Sequence, residues 1–482
     1  MNQNRTPLFT AVKNYVEDRV IQFHVPGHRQ GQGLPELAAY IGQRVLQMDA
    51  NGMPDLDYIN NPGGVILEAE KLLADAFSAQ KAHFLVNRTT AGVQAMIMSV
   101  CNPGNKIILP RNAHKSAIGG IILSGALPVY VQPEINVELG ITMGVPAASY
   151  EKALKANPDA RVIFVINPTY YGYTSDLENI IKIGHQYGAA VLVDEAHGAH
   201  MYFHEDFPAT AMQLGADISA ASMHKTGGSL TQSSILLYKS DVISSERLQQ
   251  VINLSCTSSA SYLLLCSLDI ARKQLATRGR SMFQQVLEIA RQTRDEINRR
   301  GEFYAFGKEL TGTPGCFGFD ESKLGINIRC SSLTGYQLES KLRRNYNIQM
   351  ELSDLHNILG IVSLGHRYED LDALTHALQD IARQHQYRKA RPCPTMPDFP
   401  EMVVPPQQAF YSGKKRVRLS EAAGEIAGEM IMAYPPGIPA ICIGERISHD
   451  FIDYIQILKE EKCELQGFAD PSIEYIQVLA GC

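Results

Sequence analysis

Ala220-Ala221-Ser222-Met223-His224-Lys225-Thr226-Gly227-Gly228 decides how this chain of 482 residues is read. A lysine in a Ser-x-His-Lys run, flanked by small residues and glycines, suits an amine that holds an aldehyde as a Schiff base while its neighbours grip a phosphate. Such an amine needs surroundings that lower its pKa, and a phosphate needs hydroxyl, imidazole and backbone donors. Thirty-one residues upstream, Val191-Leu192-Val193-Asp194-Glu195-Ala196-His197 reads as a buried strand ending in a carboxylate. An acid there keeps a pyridine nitrogen protonated, which is what turns pyridoxal phosphate (PLP) into an electron sink. Each segment has a plainer reading alone: a solvated turn for Lys225, the strand end of any α/β domain for Asp194. Their order, spacing and flanking residues agree on PLP chemistry.

Composition narrows the class. A single core stops growing at roughly 250–300 residues, so two or three domains are expected. The 45% hydrophobic and 20% charged content places the chain among ordinary globular proteins. Net charge is −6, and the short run Lys414-Lys415-Arg416-Val417-Arg418 is no more than a solvated face, so nucleic acid is not an expected partner. The start, MNQNRTPLFT, has no apolar signal core, and no apolar run is long enough for a membrane span. Nine scattered cysteines without a CxxC pair imply reduced thiols in a cytoplasm, with no structural zinc and no disulfide framework.

Residues 1–50 form an N-terminal segment in which Gln22-Phe23-His24-Val25-Pro26-Gly27-His28 is held by turns. Strands are expected at 82–86, 106–109, 128–131, 162–166, 190–194 and 235–238, with helices such as 65–79 and 177–187 between them. This alternation predicts an α/β fold, a mostly parallel sheet covered by helices, over a large domain at 51–300. A long charged helix at 267–300 leads to a smaller α/β domain at 301–390. A proline-rich linker at 391–406 and a C-terminal α+β module at 407–482 complete the expected organisation.

Asn87-Arg88-Thr89-Thr90-Ala91-Gly92 follows a strand and opens a helix, whose free amides and dipole suit a phosphate. A simple N-cap by Thr89 or Thr90 is the plain alternative; Ser222 and His224 favour the cradle. His114, just past a strand, is placed to stack on a pyridine face, with a capping or surface role as the alternative. Asn167-Pro168-Thr169-Tyr170-Tyr171-Gly172 ends another strand and offers side chains to ring substituents. His197, His200 and His204 invite a metal reading, but Gly198 directly after a strand disfavours the helix that convergence requires, so no metal is expected. His197 is read instead as a group near the reactive carbon.

These residues lie in longer segments: QFHVPGHRQGQG, PRNAHKSAIGG, VINPTYYGYTSDL, VLVDEAHGAHMYFH, SMHKTGGSLTQSSIL, SYLLLCSLDIARKQLATRGR and YPPGIP, spanning 22 to 439. With them the chain resembles the Orn/Lys/Arg decarboxylases of the aspartate-aminotransferase fold (fold type I), and most of all the short bacterial arginine decarboxylases of polyamine synthesis. The resemblance implies that Lys225 carries PLP, Asp194 pairs with the pyridinium nitrogen and His114 stacks on the ring. It assigns the phosphate to Thr89, Thr90, Ser222 and His224. It also implies a homodimer with a shared active site, or a higher oligomer, in which Thr257-Ser258 completes the neighbour's phosphate site. Two departures stand out: Arg88-Thr89-Thr90 where relatives commonly have Gly-Thr-Ser, and Cys442-Ile443-Gly444-Glu445 where they have Pro-Gly-Glu.

The function so implied is decarboxylation of a basic amino acid, arginine to agmatine first, lysine or ornithine next. Protonation at Cα falls to Lys225 or His197. A decarboxylase gains nothing by gripping the ground-state carboxylate, whereas a PLP aminotransferase clamps it; Arg329 is the clamp candidate for that reading and equally reads as a surface strand residue. A PLP-binding protein without catalysis is a further alternative. A basic substrate needs a carboxylate at the far end of its pocket. Glu445 is the first candidate; Asp57 and Asp354 are others, with a surface acid or helix cap as the plain reading of each.

Overall fold

The computed structural model describes residues 1–328, 332–385, 400–434, 438–460 and 463–481. Arg329, most of the proline-rich stretch and residues 435–437 of the YPPGIP run lie outside the described residues. Two compact units emerge, neither continuous in sequence: Met1–Val100 with Ala190–Phe283, and Cys101–Ala189 with Gln284–Cys482.

The strands that carry the candidate site are β1 (Lys81–Leu85), β2 (Lys106–Pro110), β3 (Leu127–Val131), β4 (Val162–Ile166), β5 (Ala190–Asp194), β6 (Ile218–Ala221) and β7 (Ser234–Tyr238). In the first unit β7 runs antiparallel to both β1 and β6, while β6 is parallel to β5. It follows that β1, β5 and β6 point the same way and end on one edge. Asn87–Thr90, Asp194–His197 and Ser222–Lys225 each follow one of those ends, which is where α/β sheets collect ligand-binding residues. In the second unit β2 is parallel to β3 and to β4, so the segments beginning at Arg111 and Asn167 also leave from a common edge.

β6 is the strand that the sequence pattern did not mark, because after Ile218 the run Ser219-Ala220-Ala221 has none of the branched or aromatic residues that favour strands. Its small side chains serve packing. Gly92 on the helix Arg88–Val100 sits where an added Cβ would come 2.8 Å from Leu85 and 3.2 Å from the Ala220 Cβ. That close approach brings the N-terminus of the helix down against the sheet edge.

Elsewhere in the second unit, Tyr304–Phe306, Lys323–Asn327, Asn357–Ile361 and Leu352–Ser353 make an antiparallel sheet, accompanied by the helices Gly335–Asn345 and Tyr368–Gln384. The C-terminal residues pair Lys414–Arg418 with Tyr475–Leu479 and Ile431–Tyr434 with both Ile438–Ile441 and Glu464–Gln466. Leu419, Ile431, Ile441, Phe451, Ile455 and Ile476 form their core.

The N-terminal helix Pro7–Glu17 is anchored by charge. Asp269, fully buried on the helix Tyr262–Arg300, accepts from the amides of Leu8 (3.1 Å) and Phe9 (3.2 Å), a carboxylate at a helix N-terminus. Arg272, also fully buried, donates to Asp269 (2.6 Å) and to the carbonyls of Gln3 (2.8 Å) and Arg5 (2.6 Å). Arg272→Met leaves Asp269 buried without its partner. Denaturant unfolding is expected to show a loss of about 3–5 kcal/mol.

Candidate active site

Thr89 begins the site at the second position of the 13-residue helix Arg88–Val100. Its buried hydroxyl meets those of Ser222 and Ser234, the latter at 2.9 Å. Three hydroxyls at a helix N-terminus form a set of reorientable donors for an anion. Thr90 lies beside them, half-buried. Arg88 has φ of +65° and donates its amide to the Gln232 carbonyl at 3.0 Å. This left-handed backbone is one that glycine adopts without strain, which gives a physical reason for the glycine of the relatives' pattern. The Arg88 side chain points to solvent, so the loop closes normally.

Ser222 leads into a π-helical turn, Met223–Gly227, stopped by Gly228 at φ +85°. Wide turns of this kind are rare and concentrate at functional sites. His224 Nδ1 is 2.8 Å from the Ser233 carbonyl, so that nitrogen is the donor. Lys225 Nζ is 2.8 Å from His197 Nε2.

Asp194 is 6% exposed. Burial raises its pKa, against the opposing pull of the Ala196 amide and the Lys225 charge. Glu195 is fully buried and differently occupied. It accepts from Ser219 (2.5 Å), Tyr202 (2.7 Å) and the Ala211 amide (2.9 Å), while burial pushes its carboxyl up to about 7. Of these adjacent acids, Asp194 accepts the Ala196 amide at 3.0 Å and feels the Lys225 charge, whereas Glu195 ties down the loop.

In the second unit His114 caps the helix Lys115–Ser124, its Nδ1 accepting from the Ser116 amide (3.2 Å) and lying 2.9 Å from the Ser116 hydroxyl. The capping alternative is thus realised, and the ring is fixed in orientation by it. The Thr169 hydroxyl accepts from the Tyr173 amide at 3.1 Å. Asn167, with no exposed surface, accepts from Ser175 through Oδ1, whereas its Nδ2 has no partner among the described residues. Thr226 Oγ1, next to Lys225, is likewise buried and unpaired. Such orphans cost roughly 1–3 kcal/mol each unless a ligand satisfies them. A cofactor with a phosphate, an aldehyde and a ring nitrogen fits the donors and acceptors that the first unit brings to its edge: the Thr89, Ser222 and Ser234 hydroxyls, Lys225 and Asp194. Asn167, Thr226 and Ser234 were not singled out individually from sequence; their signal is tertiary, a buried polar atom left over.

The sequence matches the family described as Orn/Lys/Arg decarboxylase, major domain, over residues 6–324, and its C-terminal domain over 390–474. The chain belongs to the Orn/Lys/Arg decarboxylase family. Relatives include an arginine decarboxylase of Bacillus subtilis, 43% identical over 99% of each chain, and one of Bacillus anthracis, 42% identical over 99% of this chain and 98% of that one. The lysine decarboxylase of Francisella novicida shares the fold, with a TM-score of 0.87 at 19% identity over 98% of this chain and 81% of its own.

Within this decarboxylase, the three acids expected to meet a basic substrate are each engaged from within the protein. Glu445 has no exposed surface: its two oxygens take both Arg111 amino groups, and Oε2 also accepts the Cys442 amide at 2.7 Å. Breaking such a pair by removing one partner costs about 3–5 kcal/mol. Asp354, half-buried, accepts from the Tyr171 hydroxyl and from the amides of His356 (2.8 Å) and Asn357 (2.7 Å). Asp57 accepts four backbone amides, from Tyr58 (2.8 Å), Gly63 (3.0 Å), Gly64 (2.7 Å) and Ile66 (3.1 Å). A carboxylate so saturated organises a loop. The histidines also part company: His200 packs edge-on to Phe207, and no group of three metal-ligating side chains occurs among the described residues. Thr257 donates its amide to Asn87 (3.3 Å), and Ser258 is exposed beside it.

Burial alone would raise the Asp57 pKa; the four amides outweigh it and hold the carboxyl below its ordinary value. A depressed folded-state pKa contributes stability above the unfolded value of about 4, and that contribution is lost as pH falls through the folded value. Asp57→Asn should therefore lower stability by about 1–3 kcal/mol at neutral pH. Thermal unfolding of the two proteins is expected to converge in strong acid.

Proposed function

We propose that this decarboxylase converts L-arginine to agmatine and carbon dioxide with PLP held on Lys225. The observation that carries the chemistry is the 2.8 Å approach of Lys225 Nζ to His197 Nε2 on the edge where Asp194 and the Thr89, Ser222 and Ser234 hydroxyls also end. The choice of arginine is supported by relatives named arginine decarboxylases at 42–44% identity, against 22–23% for those named lysine decarboxylases.

When bound, PLP supplies an electron sink for the pair left behind by carbon dioxide. The chain's own residues do the rest. Asp194, buried, would pair with the ring nitrogen and keep it protonated; that pairing would offset the cost of burying its own charge. Thr89, Thr90, Ser222 and His224 would hold the phosphate, and His114 would cover the ring. Lys225 Nζ and His197 Nε2 stand within hydrogen-bond distance, so a proton can pass between them and either would deliver it to the substrate Cα after carbon dioxide leaves. Only groups that act as charge develops speed the step, so a clamp on the departing carboxylate is not required.

We infer a homodimer in which Thr257 and Ser258 reach the partner's phosphate site. Ser258 is exposed on its own subunit, and the N-terminal segment displays Ile21, Phe23, Val25 and Tyr40 at 60–97% exposure. Apolar surface of that kind suits a second copy of the chain.

The test offers arginine, lysine and ornithine separately to the purified, PLP-loaded protein and identifies the amine formed. Agmatine from arginine is expected, with no product from Lys225→Ala. Cadaverine from lysine in preference would overturn the substrate, and no amine from any of the three would overturn the reaction.

A further inference from the structure

The second unit contains a clamp whose parts lie far apart in sequence. Arg111 follows β2 directly, is 4% exposed, and donates its backbone amide to Val131 at 3.0 Å. Its guanidinium lies 4.8 Å over the Tyr130 ring and makes the two-pronged pair with Glu445, as well as a long contact to the Ala440 carbonyl (3.4 Å). Planar fork-to-fork pairing fixes direction as well as distance. Glu445 is itself immobilised. Its carbonyl accepts the Ala427 amide (2.8 Å), and the preceding Gly444 has φ of +89° where an added Cβ would meet the Val404 carbonyl at 2.1 Å.

Between Arg111 and His114 there is one tight turn, in which Ala113, fully buried, donates to the Pro110 carbonyl at 3.0 Å. His114 then starts the helix Lys115–Ser124. The far end of that helix is held by the same C-terminal residues. Gln407 Nε2 donates to the Ile122 carbonyl at 2.9 Å, and Ile122 packs on a buried cluster of Ala409, Ile426, Ile443 and Leu479. The segment 111–124 is therefore gripped at both ends by residues from 407 onward, with the ring-stacking candidate between the two grips. A clamp of this rigidity exceeds what helix packing needs, since an apolar pair of similar volume would stabilise as well as a buried ion pair.

We propose that the Glu445–Arg111 pair and the Gln407–Ile122 contact set the position of His114 against the cofactor ring, making Glu445, Arg111 and Gln407 positioning residues of the decarboxylase. This rests on the reading of His114 as the ring-covering group.

The test compares Glu445→Gln, Gln407→Ala, His114→Ala and the double variant E445Q/H114A, all as full chains. PLP affinity is measured by absorbance titration, with kcat and KM for arginine alongside. His114→Ala is expected to weaken PLP binding and kcat by about 10- to 100-fold, the scale of a misplaced active-site group. Glu445→Gln should give about tenfold of that loss with KM little changed, and the double variant should be no worse than His114→Ala. Multiplying effects in the double variant, or normal PLP affinity in Glu445→Gln, would overturn the positioning role while leaving His114 in place. A silent His114→Ala would overturn the ring reading and the proposal with it. Should Glu445→Gln fail to fold, Gln407→Ala keeps the buried pair and decides. A loss of about three- to fivefold in PLP affinity, absent in the His114→Ala background, is expected. Unchanged affinity in Gln407→Ala overturns the proposal.

Discussion

An amine can anchor an aldehyde only while it is unprotonated, and the first unit is arranged around that constraint. Lys225 stands in a π-helical turn with an imidazole nitrogen 2.8 Å from its own, so a proton leaving Nζ has somewhere to go. The turn exists because Ser222, small and buried, opens it and Gly228 in left-handed conformation closes it. The sheet topology then brings Asp194 and Thr89 to the same edge, since β1, β5 and β6 run in one direction. Each functional group is placed by backbone direction first and by side-chain bonding second.

The parts of this arrangement that depend on local pattern were visible in the chain. Six of the seven strands of the two site-bearing runs announce themselves as short β-rich stretches, and Lys225, Asp194 and the Thr89 helix start stand out by residue type next to a strand end. β6 did not, because its Ser-Ala-Ala run is chosen for closeness to Gly92 and not for strand preference. Arg88 stood out as a departure from the relatives' glycine; its positive φ explains the glycine and shows that arginine tolerates the same backbone by pointing outward.

The internal partners of the acids were not legible in the sequence, for a reason of range. Glu445 sits in a short loop with no local mark of burial, and its partner Arg111 is 334 residues away. Asp354 depends on Tyr171, 183 residues away. Asp57 could have been read more closely, because an aspartate shortly before Asn-Pro-Gly-Gly is well placed to collect amides from a glycine turn. In all three cases a carboxylate expected to greet a cation from outside the protein is neutralised or bonded from within. The C-terminal residues accordingly contribute by holding the second unit's segments in place.

Borohydride reduction of the PLP-loaded protein, followed by digestion and mass spectrometry, tests the central claim most directly, because it fixes the covalent anchor whatever the substrate. The account predicts a pyridoxyl group on the peptide that contains Lys225 and on no other lysine. A stable label on a different lysine, or none on Lys225 while PLP remains bound, would contradict it.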